Sequence, residues 1–205
     1  MRAHRIFAAV YDTMNRPLER QVLAERRSRL VSGLRGRVLD VGAGTGANLA
    51  HFRAASAVVA AEPDPAMRAR LAGKLGGASV PVEVSAAAAE SLPFPAGSFD
   101  AVVCTLVLCT IADPERALAE ARRVLTPGGR LVVLEHVRGT GALARWQDRV
   151  CPIWTRVAAG CHPNRDTRSA IEQAGFTVEQ AETFDPLPRL VPARPWLYAT
   201  AVAPG

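Results

Sequence analysis

Residues 38–46 read VLDVGAGTG, an apolar run that carries Asp40 and then Gly42, Gly44 and Gly46 at alternate positions. Glycine lets a chain turn sharply and brings backbone against a ligand with no Cβ in the way. Sixteen residues after Gly46, a second apolar run, 57–61, stops at Glu62. An acid at the end of the second strand of a nucleotide fold can accept hydrogen bonds from both ribose hydroxyls. The spacing separates two cofactor classes. A dinucleotide loop is GxGxxG, with its helix N-terminus facing a pyrophosphate. Here the loop is GxGxG, and Asp40 stands two residues ahead of the first glycine. A carboxylate there suits a cation and repels a pyrophosphate. S-adenosylmethionine carries an ammonium and a sulfonium and no phosphate, so the motif points to that cofactor. Pro63 and Met67, just after the acid, are assigned to the same pocket.

Methyl transfer from a sulfonium is an in-line displacement with an activated leaving group. The protein must mainly align the reactants and exclude water. A base is needed only if the nucleophile arrives protonated. His136 is the first candidate, because it ends the apolar run 131–136 at the ligand-binding edge and has an ordinary pKa near 6.5. A histidine that only lines the pocket is the plainer alternative. His162 and Asp166 share a weaker claim. Tyr11 and Asp12, near the start of the chain, are placed beside the sulfonium, although a surface carboxylate is the commoner role for such an Asp. Thr105 and Leu106 follow the fourth strand and are expected to pass under the methyl group. The cysteines, Cys104, Cys109, Cys151 and Cys161, show no CxxC pair and no zinc-type spacing. No metal site is expected, and the thiols read as small buried hydrophobes. Trp146 and Trp154, eight residues apart, form either an apolar substrate wall or a local core.

These residues need a scaffold that brings strand ends together. Nearly continuous apolar runs at 37–41, 57–61, 81–84, 99–105, 131–136, 177–184 and 196–202 alternate with helical stretches, the pattern of a mostly parallel sheet covered on both faces. Asp64-Pro65 and Asp113-Pro114 each place a capping acid before a proline at the first helical position. Gly175 reads as a left-handed helix stop. Pro127-Gly128-Gly129 reads as a turn before a strand. Segment 138–163 is the least regular and is expected to form a substrate lid. The 205 residues, 49% hydrophobic, suit one domain with an N-terminal helical segment over 1–35.

Composition narrows the partners. The net charge is +6, and of 25 basic residues only Lys74 is a lysine. The arginines are scattered, with no basic run longer than two, and aromatics are 5%. That pattern fits composition bias better than a nucleic-acid surface. The first apolar stretch is too short for a secretory signal, and no run approaches a transmembrane length. A cytoplasmic protein is expected.

Residues 38–46, Glu62, the AESLPFPAGSFD of 89–100 and the RVLTPGGRL of 123–131 resemble the successive motifs of class I S-adenosylmethionine-dependent methyltransferases. The resemblance implies a Rossmann-like α/β fold, doubly wound, with seven strands of which the last is antiparallel. Many relatives place an Asp where Ala88 stands here, so the adenine contacts implied by the family fall to Ala89 and Glu90. Within the family, CTLVLCTIADP at 104–114, LEHV at 134–137, and Gly160 to His162 with Arg165 to Thr167 resemble the alkyl thiol methyltransferases, which include mammalian microsomal enzymes and bacterial relatives. That implies a small-molecule acceptor, a thiol first. O-, N- or C-methylation of a quinone-like or natural-product acceptor is the alternative, and a cofactor-binding partner of nucleic acid or protein is a third. The mammalian enzymes carry an N-terminal membrane anchor, for which no counterpart is read here.

Overall fold

Apolar runs with almost no polar interruption are buried on both faces, which one sheet provides for 37–41, 57–61, 99–105 and 131–136. By contrast 177–184, read as such a run, is a polar edge strand that is mostly exposed. The computed structural model of the chain describes residues 16–205. Its strands are β1 (Gly36–Val41), β2 (Ala55–Ala61), β3 (Val82–Ser85), β4 (Phe99–Thr105), β5 (Leu125–His136), β6 (Thr177–Phe184) and β7 (Trp196–Val202). They lie in the order β3-β2-β1-β4-β5-β7-β6. Neighbours from β3 through β5 pair in parallel, and β7 runs antiparallel to both β5 and β6. The order reverses between β1 and β4, which opens a crevice at their carboxyl ends.

Alternate side chains serve opposite cores. Leu39, Val102 and Leu131 pack with Leu118 and Ile171 on one face. Val38, Val103 and Val132 pack with Leu23, Val31 and Trp196 on the other. The first face is covered by α3 (Pro114–Val124) and α5 (Thr167–Gln173), and the second by α1 (Ala24–Val31). Helical turns wound as a π-helix at Glu19–Leu23 lead into α1. Asp64 caps α2 (Pro65–Ala72) by accepting from Ala66 and Met67 N–H, and Asp113 caps α3 by accepting from Arg116 N–H. Gly175, with φ +89°, follows the end of α5 as the sequence suggests. No helix among the described residues is long and apolar enough to cross a membrane.

Two further expectations are corrected. β5 begins at Leu125, not at 131: Phe99 pairs with Leu125 and Ala101 with Arg130, so the Pro-Gly-Gly stretch bulges inside the strand rather than preceding it. The stretch read as irregular, 138–163, holds the 17-residue helix α4 (Gly141–Val157), which continues through Pro152.

Candidate active site

The glycine loop leaves β1 with all three glycines at positive φ: Gly42 at +62°, Gly44 at +57° and Gly46 at +82°. They do different work. A Cβ on Gly42 would meet Val107 Cγ2 at 2.1 Å, and one on Gly46 would meet Leu49 Cδ1 at 2.9 Å. Those two let the loop pack. A Cβ on Gly44 would find nothing nearer than the Gly42 carbonyl at 3.9 Å, so this backbone borders open space. Glu62, at the end of β2, accepts the Gly44 amide at 2.9 Å through Oε2 and the Asp64 amide at 2.8 Å through Oε1. Burial raises the Glu62 pKa, and the two amides draw it back. Pro63 is exposed beside it, and Met67 is half-buried on the first turn of α2.

Asp40 is 0% exposed beneath this loop. Its Oδ1 accepts from Asn48 Nδ2 at 2.8 Å, and its Oδ2 has no partner among the described residues. Burial pushes its carboxyl up to about 7, against the pull of Asn48 and Arg27. Arg27 Nη1 reaches Asn48 Oδ1 and Thr105 Oγ1, each at 2.8 Å, and Asn48 Nδ2 also donates to Thr105 at 2.9 Å. Arg27 Nε is anchored on Glu19 at 2.9 Å. A buried polar network thus joins α1, the glycine loop and the end of β4. Arg27 and Asn48 were not among the sequence candidates. The signal for Arg27 was present: Leu23, Arg27, Leu30 and Val31 share one buried helical stripe, and a charge in such a stripe needs partners.

Leu106, next after Thr105, sits at φ +55°, a strained value for a side chain with Cβ. Residues 88–91 make a tight turn, with Ser91 N–H donating to Ala88 O at 3.1 Å. Ala89 is buried in the core, and Glu90 Oε1 accepts from Ala112 N–H at 3.2 Å. Tyr11 and Asp12 lie outside the described residues.

The groups around the loop fit S-adenosylmethionine: an open glycine backbone, a fixed carboxylate at the end of β2, and a buried acid behind the loop with one oxygen unpartnered among the described residues.

At the end of β5 lies a second cluster. His136 Nε2 is 3.1 Å from Cys161 Sγ, and Trp154 Nε1 donates to the same sulfur at 3.0 Å. Glu135 Oε2 accepts the Cys109 amide at 2.6 Å, and His162 N–H donates to the Cys109 carbonyl at 2.8 Å. Burial works against a charged His136, yet the Cys161 sulfur and the Glu135 carboxylate leave its pKa raised. Cys161 is drawn down to about 4, first by the Cys109 thiol and then by His136, against burial. Burial raises Glu135 to about 7. Cys104 and Cys109 are buried as expected, with no disulfide among the four cysteines.

The remaining candidates sit nearby in other roles. His162 is half-buried with Nδ1 3.3 Å from Arg165 Nη2. Asp166 is exposed and caps α5, accepting from Ser169 N–H at 3.1 Å and Ser169 Oγ at 2.8 Å. The buried Gln147 of α4 shares the two N–H bonds of Nε2 among the carbonyls of Val137, Pro163, Pro192 and Arg194. A cavity of about 370 Å³ opens beside Leu108 and Arg165, between α3 and α5. A larger one, about 840 Å³, lies by Arg35, Asp100 and Gly129 at the amino ends of β1 and β4, the opposite end of these strands from the glycine loop.

Residues 39–133 match a family described as a methyltransferase domain. The thiol S-methyltransferase TMT1B of Homo sapiens is 32% identical over 208 residues, covering 96% of this chain and 84% of that protein. The demethylmenaquinone methyltransferase of Thermus thermophilus is 42% identical over 132 residues, covering 61% of this chain and 60% of that protein. Among solved structures, an S-adenosylmethionine-dependent methyltransferase from Mesorhizobium loti has a TM-score of 0.63 at 24% identity, covering 88% of this chain and 96% of its own.

Proposed function

This chain belongs to the class I S-adenosylmethionine-dependent methyltransferase family, and from that premise we propose that its methyl acceptor is a small thiol. The bound cofactor supplies a methyl group on a sulfonium, a leaving group that needs no acid. Glu62 would hold the ribose diol, with the Gly44 backbone open beside it. Asp40, its carboxyl raised to about 7 by burial, would ionise behind the loop opposite the cationic end of the ligand. Tyr11, Pro63 and Met67 would wall the pocket, with Ala89 and Glu90 at the adenine and Thr105 and Leu106 near the methyl. α4 and its flanks, 138–163, would act as the lid of a single domain and exclude water, with Trp154 on its inner side.

The observation that carries the thiol reading is the similarity to a thiol S-methyltransferase along 96% of the chain. The site supports it. His136, the best-placed base, already has Nε2 against Cys161. A thiol needs little help, since with a pKa near 8.5 roughly a few per cent is thiolate at neutral pH. An alcohol would need a committed base. The second reading, carbon methylation of a quinol, draws on the Thermus thermophilus relative, which is more identical over a shorter stretch. The same reading places the enzyme in the cytoplasm, with a small molecule rather than RNA as acceptor.

The test is incubation with S-adenosylmethionine and a panel of alkyl thiols, phenols, quinols, amines and RNA, read by mass spectrometry. Methylated alkyl thiols are expected. Methylation of a quinol with every thiol inert, from pH 6 to 9, would overturn the thiol reading.

A further inference from the structure

Three segments far apart in sequence deliver sulfur and nitrogen to one point. Cys109 comes from the loop after β4, His136 from the last residue of β5 and Cys161 from the turn after α4. One donor atom from each lies within 4.8 Å of the others. The three side chains are 3%, 5% and 7% exposed.

We propose that Cys109, His136 and Cys161 hold a zinc ion whose fourth position takes the sulfur of the acceptor thiol. The metal site stands on the cluster itself; the occupant of the fourth position rests on the thiol reading above. Two thiolates and an imidazole are the donor set that selects zinc among the common divalent ions. Three protein ligands with one position open is the arrangement of catalytic zinc, whereas structural zinc is closed by four. Tetrahedral zinc sets its ligand atoms roughly 3.5–3.8 Å apart. The 3.1 Å between His136 Nε2 and Cys161 Sγ would therefore open by about half an ångström.

The surroundings suit a metal. Trp154 donates an N–H to the Cys161 sulfur, the kind of outer contact that steadies a bound thiolate. Glu135 fixes the Cys109 backbone through its amide. The His136 ring meets the Trp196 ring edge-on at 6.3 Å, which limits its rotation. Two thiolates and a doubly charged cation sum to zero, so the buried site is neutral before the acceptor enters.

The chemistry balances. A neutral thiol binds the zinc through sulfur, displaces a water ligand and gives its S–H proton to solvent. A lone pair of that sulfur attacks the methyl carbon. The new S–C bond forms as the carbon–sulfonium bond breaks, releasing a neutral thioether and S-adenosylhomocysteine.

The full chain, purified without metal-affinity steps and incubated with Zn²⁺ before desalting, is assayed for metal by plasma mass spectrometry. About one zinc per chain is expected in the wild type and in Cys104→Ala, and less than about a tenth of that in Cys109→Ser and Cys161→Ser. Cofactor titration of each variant verifies that it is folded. A wild type without zinc, or folded Cys109→Ser and Cys161→Ser variants that keep it, would overturn the metal site. The Co²⁺-substituted protein then reads the open position: ethanethiol should shift its thiolate-to-metal absorption. An unchanged spectrum while ethanethiol is methylated would remove the acceptor from the metal. A shifted spectrum with no thiol methylated would keep the metal site and its open position and overturn both the thiol reading and the occupant assigned from it.

Discussion

Glu62 holds Gly44 from the neighbouring strand, its Oε2 accepting the loop amide at 2.9 Å while Oε1 accepts the Asp64 amide at 2.8 Å. One carboxylate thus ties the glycine loop after β1 to the cap of α2, and both oxygens retain lone pairs for a ligand. Glu62→Ala is expected to weaken S-adenosylmethionine binding by ~1.5–3 kcal/mol, the range for a charged hydrogen-bond partner. Calorimetry that found unchanged affinity in a folded variant would remove Glu62 from the binding set.

The glycines of the loop should separate by assay. Gly44 faces open space, so Gly44→Val strikes no protein atom and fills the side on which a ligand would lie, while its branched side chain at φ +57° adds ~1–3 kcal/mol of backbone strain. Cofactor binding should be lost with the fold retained. Gly42→Ala should do the reverse, because its Cβ would strike Val107. Overpacking of this kind costs ~1–3 kcal/mol of stability. Thermal melts and cofactor titrations on both variants check the split; a folded Gly44→Val protein that binds the cofactor normally would show the loop to be only a structural turn.

Asp40 makes stability depend on pH. Burial raises its carboxyl from 3.8 to about 7. The folded chain then binds this proton more tightly than the unfolded chain. The stability it contributes is full below about pH 4 and is lost as pH rises through about 7. Asp40→Asn keeps an oxygen for Asn48 and cannot ionise. Between pH 4 and pH 8 the wild type should lose roughly 2–4 kcal/mol relative to Asp40→Asn. Urea midpoints that move in parallel for the two proteins would place the Asp40 pKa at its ordinary value.

The parts of the molecule legible in sequence were those built from local rules. Capping acids Asp64 and Asp113, the glycine loop and the apolar runs each carry their own signal. β5 was cut short because Pro127 and two glycines obey turn rules locally, while pairing with β4 holds them as a bulge. α4 was hidden because Cys151, Pro152 and the exposed Ile153 break its apolar period. The cysteine–histidine cluster was illegible for a different reason: Cys161 and His136 are 25 residues apart, and only the sheet edge brings them together. Ligand-spacing rules detect sites within one loop or helix, and this one spans three elements.

Gln147 is the buried polar anchor of α4, and its removal gives the last prediction. Gln147 is 0% exposed, shares the two N–H bonds of Nε2 among four carbonyls and accepts the Gly139 amide on Oε1 at 2.8 Å. Those carbonyls come from the end of β5, the segment before α5 and the approach to β7, so one amide group joins three connections to the helix. Gln147→Leu has nearly the same volume and no polar atoms. It would strand buried carbonyls and an amide, at ~2–4 kcal/mol from unmade hydrogen bonds. The pair between Arg138, which precedes α4, and Asp148 on it offers the contrast: it is bidentate, at 2.5 and 2.6 Å, but open to water. Exposed pairs contribute little to stability, so Asp148→Asn should barely move the urea midpoint. Limited proteolysis should cut Gln147→Leu first within α4 and its flanks. Equal midpoints and equal cleavage in the two variants would show that packing, not Gln147, secures the helix over the site.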